Sequence, residues 1–290
     1  MFEQLGLIGC GLMGGSFALA AKRAGLVKRV VGYSKSPSTT EQARRMGVID
    51  VEAPSALLAV SGADIVLLAV PVAATEATFK AIRHLITPSM LIMDVGSTKR
   101  DVVDAAQRVL RDHVSSFVPA HPITGKEVSG VEHADPELYR GKQVILTPVE
   151  KTNGAHLSRA QALWEAMGCH VQQMAPEAHD AAFAAVSHLP HLLAFALMHG
   201  IVNQPLGKDF LGLAGPGFRD FTRIAAGDPK LWRDVLLANR LELVEQAKIF
   251  QRSMMNMLKL AEDGDGDQLQ AMIEQASNSR AHWRMGQKGK

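Results

Sequence analysis

Residues 117–125 read FVPAHPITG. His121 is followed by Pro122 and preceded, two residues back, by Pro119. Proline fixes its own φ and restricts the residue before it, so this imidazole is expected on a stiffened loop. Histidine is the side chain whose unperturbed pKa lies nearest neutral pH. The chemistry on offer is proton transfer to a general base; the plainer alternative is a loop histidine hydrogen-bonded to backbone. A second candidate is LGLIGCGLMGGSFALAAKRAG, where Gly9, Gly11 and Gly14 have G-x-G-x-x-G spacing. The motif follows a predicted strand and opens a predicted helix, the context that a dinucleotide-binding turn requires. The first glycine allows the bend, the second admits a pyrophosphate to the backbone, and the third lets helix and strand close up. Leu12 and Met13 sit at the helix start, so they join the glycines in facing the phosphates.

The predicted second strand ends in Ser34-Lys35-Ser36. An NAD site typically has Asp or Glu here, whereas an NADP site places a cation nearby. No acid stands at Ser34. Lys35, with the hydroxyls of Ser34 and Ser36 and with Ser38 and Thr39 close by, can cradle a 2′-phosphate. NADP is therefore expected over NAD, the alternative being a solvated loop with one lysine. His188 and His191 form H-x-x-H, a spacing that raises the question of a metal. Pro190 lies between them and no H-E-x-x-H is present, so no metal is expected. DGDGD at 263–267 has acids at alternate positions, but Gln268 replaces the glycine an EF-hand loop needs. It reads as an inter-helix turn capped by Asp267.

The elements that must hold these residues change character along the chain. Up to about residue 174, LGLIG, VVGY, DIVLLAV, LIMDV, SSFVPA, QVILTP and HVQQM are apolar runs of strand length. Helical stretches such as SFALAAKRAG, TEATFKAIRHLI, KRDVVDAAQRVLRD and LSRAQALWEAMG separate them. This alternation implies an α/β domain with a mostly parallel sheet. After Pro176 the strand-like runs stop. Residues 176–202 predict a long helix with Pro176 in its first turn and a kink at Pro190. Residues 228–263 predict a second, with Asp228 as N-cap and Pro229 at N1, and a last helix starts near Asp267. The division expected is 1–174 for the dinucleotide and 175–290 for an all-helical part. Several of these helices are apolar around much of their circumference, so a second subunit is expected against them.

The 290 residues are 47% apolar and 21% charged, with a formal net charge of +2, an ordinary globular composition. No long basic run points to nucleic acid or an anionic membrane. An anionic substrate must be caught by a few local cations. Cys10 and Cys169 lie far apart, which suits a reducing cytoplasm. The N-terminus enters a strand without a charged region and cleavage site before it. No run of 18 apolar residues is free of charged or polar breaks, so no membrane span is expected. The tail RMGQKGK is polar and basic and reads as frayed.

Taken with DVGSTK, HPITGKEVSGVEHADPELYRGKQVILTP, SHLPHLLAFAL and GFRDFTRIAAGDPKLWRDV, the chain resembles the prephenate/arogenate (cyclohexadienyl) dehydrogenase family over nearly its whole length. The resemblance implies a Rossmann-type domain, a helical C-terminal dimerisation domain, a homodimer, and oxidative decarboxylation of prephenate or arogenate on the route to tyrosine. Neither a fused chorismate mutase segment nor a C-terminal regulatory domain is expected. His121 would be the base that polarises the substrate 4-hydroxyl as hydride leaves C4. Ser97, which otherwise reads as the N-cap of the next helix, would contact histidine, substrate hydroxyl and nicotinamide. His191 would face the substrate and Arg223 would grip a substrate carboxylate, since guanidinium pairs with carboxylate in a planar fork. Trp232 matches an aromatic near the pocket. Lys99 also matches, with a structural role expected. Lys126 stands where the family often has a small hydroxyl residue, and it either contacts a substrate carboxylate or points to solvent.

Two rival functions share parts of this reading. A 3-hydroxyacid dehydrogenase has the same layout but needs a catalytic lysine early in the helical part, where HDAAFAAVSHLPH offers histidines. A non-catalytic NADP-sensing regulator would bind the dinucleotide without turnover.

Overall fold

The computed structural model describes residues 1–284, so most of the tail read as frayed lies outside the described residues. The apolar runs form a parallel sheet of β1 (Phe2–Ile8), β2 (Val27–Tyr33), β3 (Val51–Glu52), β4 (Ile65–Leu68), β5 (Leu91–Asp94) and β6 (Phe117–Val118). Their order is β3-β2-β1-β4-β5-β6, and Leu5 pairs with Val30 on one side and Ile65 on the other. Helices α1 (Leu12–Arg23), α2 (Pro37–Arg45), α3 (Ala56–Val60), α4 (Thr75–Ile82) and α5 (Arg100–Leu110) carry the crossovers. Strands β4 and β5 are buried throughout, as expected for parallel strands covered on both faces. Side chains alternate across a strand, so Leu5 and Leu7 join Phe17, Tyr139 and Trp164 in one core. Ile8, Val66, Leu68, Phe79 and Phe117 form a second core. Strand β3 is only two residues long, too short to leave a periodic signal in the sequence.

The run SSFVPA holds two strands rather than one. After Val118 the chain leaves the parallel sheet at Pro119 and re-enters pairing as β7 (Ala120–Pro122). Proline cannot donate to a ladder, and the Pro119 carbonyl accepts Thr147 N at 3.0 Å instead. Strand β7 joins β8 (Gln143–Leu146) and β9 (His170–Gln173) in a second sheet, antiparallel then parallel. His121 therefore sits in a strand, opposite Ile145, and not on the loop its prolines suggested. Helix α6 (Gly154–Ala166) links β8 to β9.

Beyond Gln173 the described residues contain helices only: α7 (Pro176–Phe183), α8 (Leu189–Val202), α9 (Gly207–Gly212), α10 (Pro216–Thr222), α11 (Pro229–Ala238), α12 (Arg240–Glu262) and α13 (Gly266–His282). The architecture is thus a Rossmann-type α/β domain followed by an all-helical part. A π-helical turn, Ala184–His188, joins α7 to α8 just before Pro190, which cannot donate to the ladder behind it. By length and composition the run Pro176–Val202 could cross a membrane, with mean hydropathy 1.6, although the polar breaks in its sequence predict no span there. Its polar residues have other partners, described below. The helix expected over 228–263 is broken at Asn239, the C-cap of α11. Asp228 does cap α11, accepting Leu231 N at 2.8 Å. Helix α13 is capped by Asp265, which accepts Gln268 N at 3.0 Å, while Asp267 falls inside the first turn. The described residues divide into two compact units, Met1–Arg240 and a second that begins at Leu241.

Candidate active site

In a doubly wound sheet, ligands gather outside the carboxyl ends of the strands, where the strand order reverses. Here the reversal lies between β1 and β4. Gly9 follows β1 with φ +97°, and a Cβ there would stand 2.2 Å from the Ala69 carbonyl oxygen, just beyond β4. A Cβ on Gly14 would stand 2.0 Å from the Gly9 oxygen. Only glycine fits either position. A Cβ on Gly11 would meet nothing within 4 Å, so the turn presents open backbone on its outer side. Helix α1 begins at Leu12 without a side-chain cap or an acid in its first turn. Leu12 is buried and Met13 half-buried, its carbonyl accepting the Tyr139 hydroxyl at 2.7 Å. Uncapped amides beside open space are what a pyrophosphate requires, so the residues present fit a dinucleotide.

At the end of β2, Ser34 Oγ accepts the Cys10 amide at 2.8 Å, tying this strand end to the glycine turn. Lys35 is exposed. Ser36 is also exposed, and its hydroxyl lies 2.8 Å from that of Ser38. No carboxylate stands among these residues.

Beyond β5 the sequence DVGSTK forms a tight buried network. Asp94 accepts Gly96 N at 2.8 Å and Ala120 N at 3.1 Å. Lys99 is fully buried; its Nζ pairs with Asp94 and donates to the Ala120 carbonyl at 2.8 Å. One ion pair therefore holds both backbone groups of the residue before His121, a structural role for Lys99. Ser97 is half-buried and does not cap α5. The amides of Lys99 and Arg100 instead donate to Asp180, at 2.8 and 3.0 Å. That leaves the Ser97 hydroxyl uncommitted to the helix.

His121 is buried, with Nδ1 2.8 Å from His179 Nε2; His179 Nδ1 lies 2.8 Å from Asp180 Oδ1. Phe183 stacks on His179 at 4.4 Å and meets His121 edge-on at 4.8 Å. Burial holds the His121 pKa well below 6.5, and the neighbouring His179, Lys99 and His188 charges push the same way. Burial also lowers His179, against the pull of Asp180. Burial raises Asp180, but hydrogen bonds from His179 and the Arg100 and Lys99 amides outweigh it, and the net shift is downward.

Asn239, at the break between α11 and α12, is buried and donates to the Asp180 carbonyl at 2.8 Å. Its Nδ2 also lies 3.1 Å from His188 Nδ1. His188 is fully buried beside the Ser97 backbone, and burial brings its pKa down to about 4. Thus His188 packs against the site's framework. His191 is half-buried, hydrogen-bonds the Ser187 carbonyl at 2.8 Å, and stacks on Trp232 with ring centroids 3.5 Å apart. Burial lowers its pKa too, opposed by the Ser187 carbonyl.

Arg223 starts the short turn Arg223–Ala226, which packs against α8. Its guanidinium is exposed and paired with Glu127. The neighbouring Lys126 reaches neither Glu127 nor Arg223: its Nζ lies 3.2 Å from both Asp135 and the His133 carbonyl. The Asp135 amide in turn donates to Ser16 in α1 at 2.9 Å. Lys126 thus binds its own loop back to the dinucleotide helix. Three groupings emerge: the glycine turn with Ser34, the His121 network with the Ser97 loop, and His191 with Trp232. No direct contact joins Arg223 to His121. Among the described residues, no group of three or more His, Cys, Asp or Glu could hold a metal.

His179, Asp180, Asp94 and Asn239 were not anticipated as site residues. The signals available were a charged residue closing the apolar run LIMD and an adjacent His-Asp pair inside an Ala-rich helix.

The family model for the nucleotide-binding domain of prephenate dehydrogenase matches residues 17–173, and the one for its dimerization domain matches 175–275. The chain is 36% identical to the prephenate dehydrogenase of Bacillus subtilis, covering 100% of this chain and 78% of that protein. It is 32% identical to the cyclohexadienyl dehydrogenase of Zymomonas mobilis, covering 97% and 96%. Among solved structures, Aquifex aeolicus prephenate dehydrogenase, in complex with hydroxyphenyl propionate and NAD+, superposes with a TM-score of 0.90. It is 35% identical, over 97% of this chain and 98% of that one.

Proposed function

The chain belongs to the prephenate dehydrogenase family, and we propose that it oxidises and decarboxylates prephenate, arogenate or both, with NADP preferred over NAD. The products would be 4-hydroxyphenylpyruvate or tyrosine, in tyrosine biosynthesis. The observation that carries this reading is the buried His121, whose neighbour Ala120 is held by Lys99 from the loop after β5 that also carries Ser97.

A bound nicotinamide dinucleotide supplies the hydride acceptor. The glycine turn, with Leu12 and Met13, would hold its pyrophosphate end, and Lys35 with Ser34 and Ser36 would hold a 2′-phosphate. The missing acid after β2 supports NADP. His121 Nε2 accepts the proton of the substrate 4-hydroxyl as the C4 hydride departs, so that C4 becomes a carbonyl. The bond to the ring carboxylate then breaks, and its electrons enter the ring. The carbonyl pair returns to oxygen, which takes back a proton, and CO2 leaves an aromatic phenol. Aromatisation makes the step irreversible. An imidazole that is neutral at pH 7 suits this exchange.

Ser97 is read as a second contact to the reacting hydroxyl, because its own hydroxyl has no capping task. His191, stacked on Trp232, offers Nε2 to the substrate, since Nδ1 is committed to Ser187. Arg223 takes a substrate carboxylate in exchange for Glu127. Lys126 favours a loop-holding role, because Asp135 and His133 already engage it. The chain divides at residues 174/175, with the dinucleotide, His121 and Ser97 on the first part and His191, Arg223, Trp232 and the dimer contacts on the second.

A cytoplasmic homodimer fits the free thiols of Cys10 and Cys169 and the apolar residues exposed on α12 and α13, among them Ile249, Met255, Leu258 and Ile273. Size exclusion with light scattering should give about twice the 31.3 kDa chain mass; a fully active monomer would refute the dimer. His121→Asn tests the chemistry. A general base contributes about 10²–10⁴-fold, so kcat should fall within that range while NADP binding survives. Unchanged turnover would reassign the base.

A further inference from the structure

We propose that Asp180 and His179 are positioning residues that decide which nitrogen of His121 carries its proton and share the charge the ring acquires. This rests on the reading of His121 as proton acceptor and names what makes it one. The chain of cause begins at the N-terminus of α5. The first amides of a helix lack partners within it, and α5 has no side-chain cap of its own. Asp180, 81 residues away in sequence, fills that role by accepting the Lys99 amide on one oxygen and the Arg100 amide on the other. A carboxylate at a helix N-terminus is stabilised in its charged form.

A charged carboxylate only accepts hydrogen bonds. His179 Nδ1, 2.8 Å from Asp180 Oδ1, must therefore carry a hydrogen. A neutral imidazole has one N–H, so His179 Nε2 presents a lone pair. His121 Nδ1 lies 2.8 Å from that lone pair and must donate to it. The remaining nitrogen, His121 Nε2, is then an acceptor, and among the described residues it makes no hydrogen bond. Each link leaves one choice, and the last delivers a base. When Nε2 takes a proton, the positive ring donates through Nδ1 to His179, which donates to Asp180. This charge-assisted chain strengthens as charge develops. Phe183 stacks on His179 and lies against His121, keeping water from competing for these nitrogens.

Asp180→Asn tests the assignment. With its oxygen kept on the Arg100 amide, the carboxamide turns its NH2 to the position that the Lys99 amide and His179 Nδ1 share on Asp180. His179 must move its hydrogen to Nε2, and His121 must move its own to Nε2, which ends its use as a base. In a serine-protease triad the equivalent change costs about 10⁴ in kcat through the wrong tautomer. We expect a loss of about 10³–10⁴ here, with KM and NADP affinity nearly unchanged. The decisive readout is 15N NMR of the imidazoles in the free enzyme at neutral pH. The natural chain should show His121 protonated at Nδ1, and Asp180→Asn should show it protonated at Nε2.

A merely structural role would lower the melting temperature and leave the His121 tautomer as it was. If Asp180→Asn does not fold, His179→Phe keeps a ring against Phe183 and leaves Asp180 on α5. In that variant both His121 tautomers should appear, with kcat down about 10–100-fold, the scale on which outer partners of a histidine act. His121 protonated only at Nδ1 in either variant, or turnover within threefold of natural, would overturn the proposal. If His121→Asn instead keeps full turnover, the base assignment fails while the tautomer result stands, so the two failures are distinguishable.

Discussion

Lys99→Met isolates the buried ion pair that holds the residue before His121. Lys99 is 0% exposed and Asp94 3%, so Met removes the charge and leaves a carboxylate in the interior. Asp94 keeps two amide donors, from Gly96 and Ala120, but the Ala120 carbonyl loses the Nζ that reaches it at 2.8 Å. Removing one partner of a buried pair costs about 3–5 kcal/mol. At about 2 °C per kcal/mol for a chain of this size, the melting temperature should fall by about 6–10 °C. Protein concentration is held fixed, because association would shift it too. Turnover should fall further than stability implies, since a displacement of about 1 Å at a catalytic group can cost about 10²-fold. Asp94→Asn combined with Lys99→Met removes both charges and keeps an acceptor for the Ala120 amide. Replacing a buried pair by neutral groups is often nearly neutral, so the double variant should melt within about 3 °C of the natural protein, on the same scale. Scanning calorimetry of the three proteins decides it. A Lys99→Met protein with unchanged melting temperature would refute the clamp.

The remaining expectations concern the cofactor, the substrate carboxylate and pH. Steady-state kinetics should give a higher kcat/KM with NADP than with NAD, and Ser34→Asp should swing the ratio toward NAD; better use of NAD by the natural protein would overturn the first. Arg223→Ala should weaken substrate binding by about 2–5 kcal/mol if it leaves a buried substrate carboxylate unpaired, with cofactor affinity unchanged, and unaltered KM and kcat would leave Arg223 as a surface partner of Glu127. A protonated His121 cannot accept a proton, and its pKa is held well below 6.5. The pH–kcat profile should therefore stay level through pH 6.5 and fall only at lower pH, and His121→Asn should abolish that limb. A limb centred at or above 6.5 would place another group in control.

The features legible in the sequence are those with local causes. The glycine turn shows because backbone crowding at Gly9 and Gly14 admits no Cβ. Strands β4 and β5 show because burial on both faces demands unbroken apolar runs. The break at Asn239 left no such mark, because the apolar period of LLANRLELV runs through it. Asn239 is drawn inward by Asp180 and His188, partners 59 and 51 residues away. His121 was legible as a candidate from its chemistry, yet its strand depended on pairing with β8, 20-odd residues on. The sequence also offered Ser97 as the N-cap of α5, but Asp180 takes the first amides of that helix, a bond with no local signature. The pairing of Lys126 with Asp135 in its own loop left no mark in the sequence.

The central claim is most directly tested by absorbance at the reduced-nicotinamide band, with prephenate and arogenate each crossed against NADP and NAD. At least one substrate should drive nicotinamide reduction, with one CO2 released per reduced nicotinamide formed and fastest turnover with NADP. Tight NADP binding without reduction by either substrate, or reduction without CO2 release, would contradict the account.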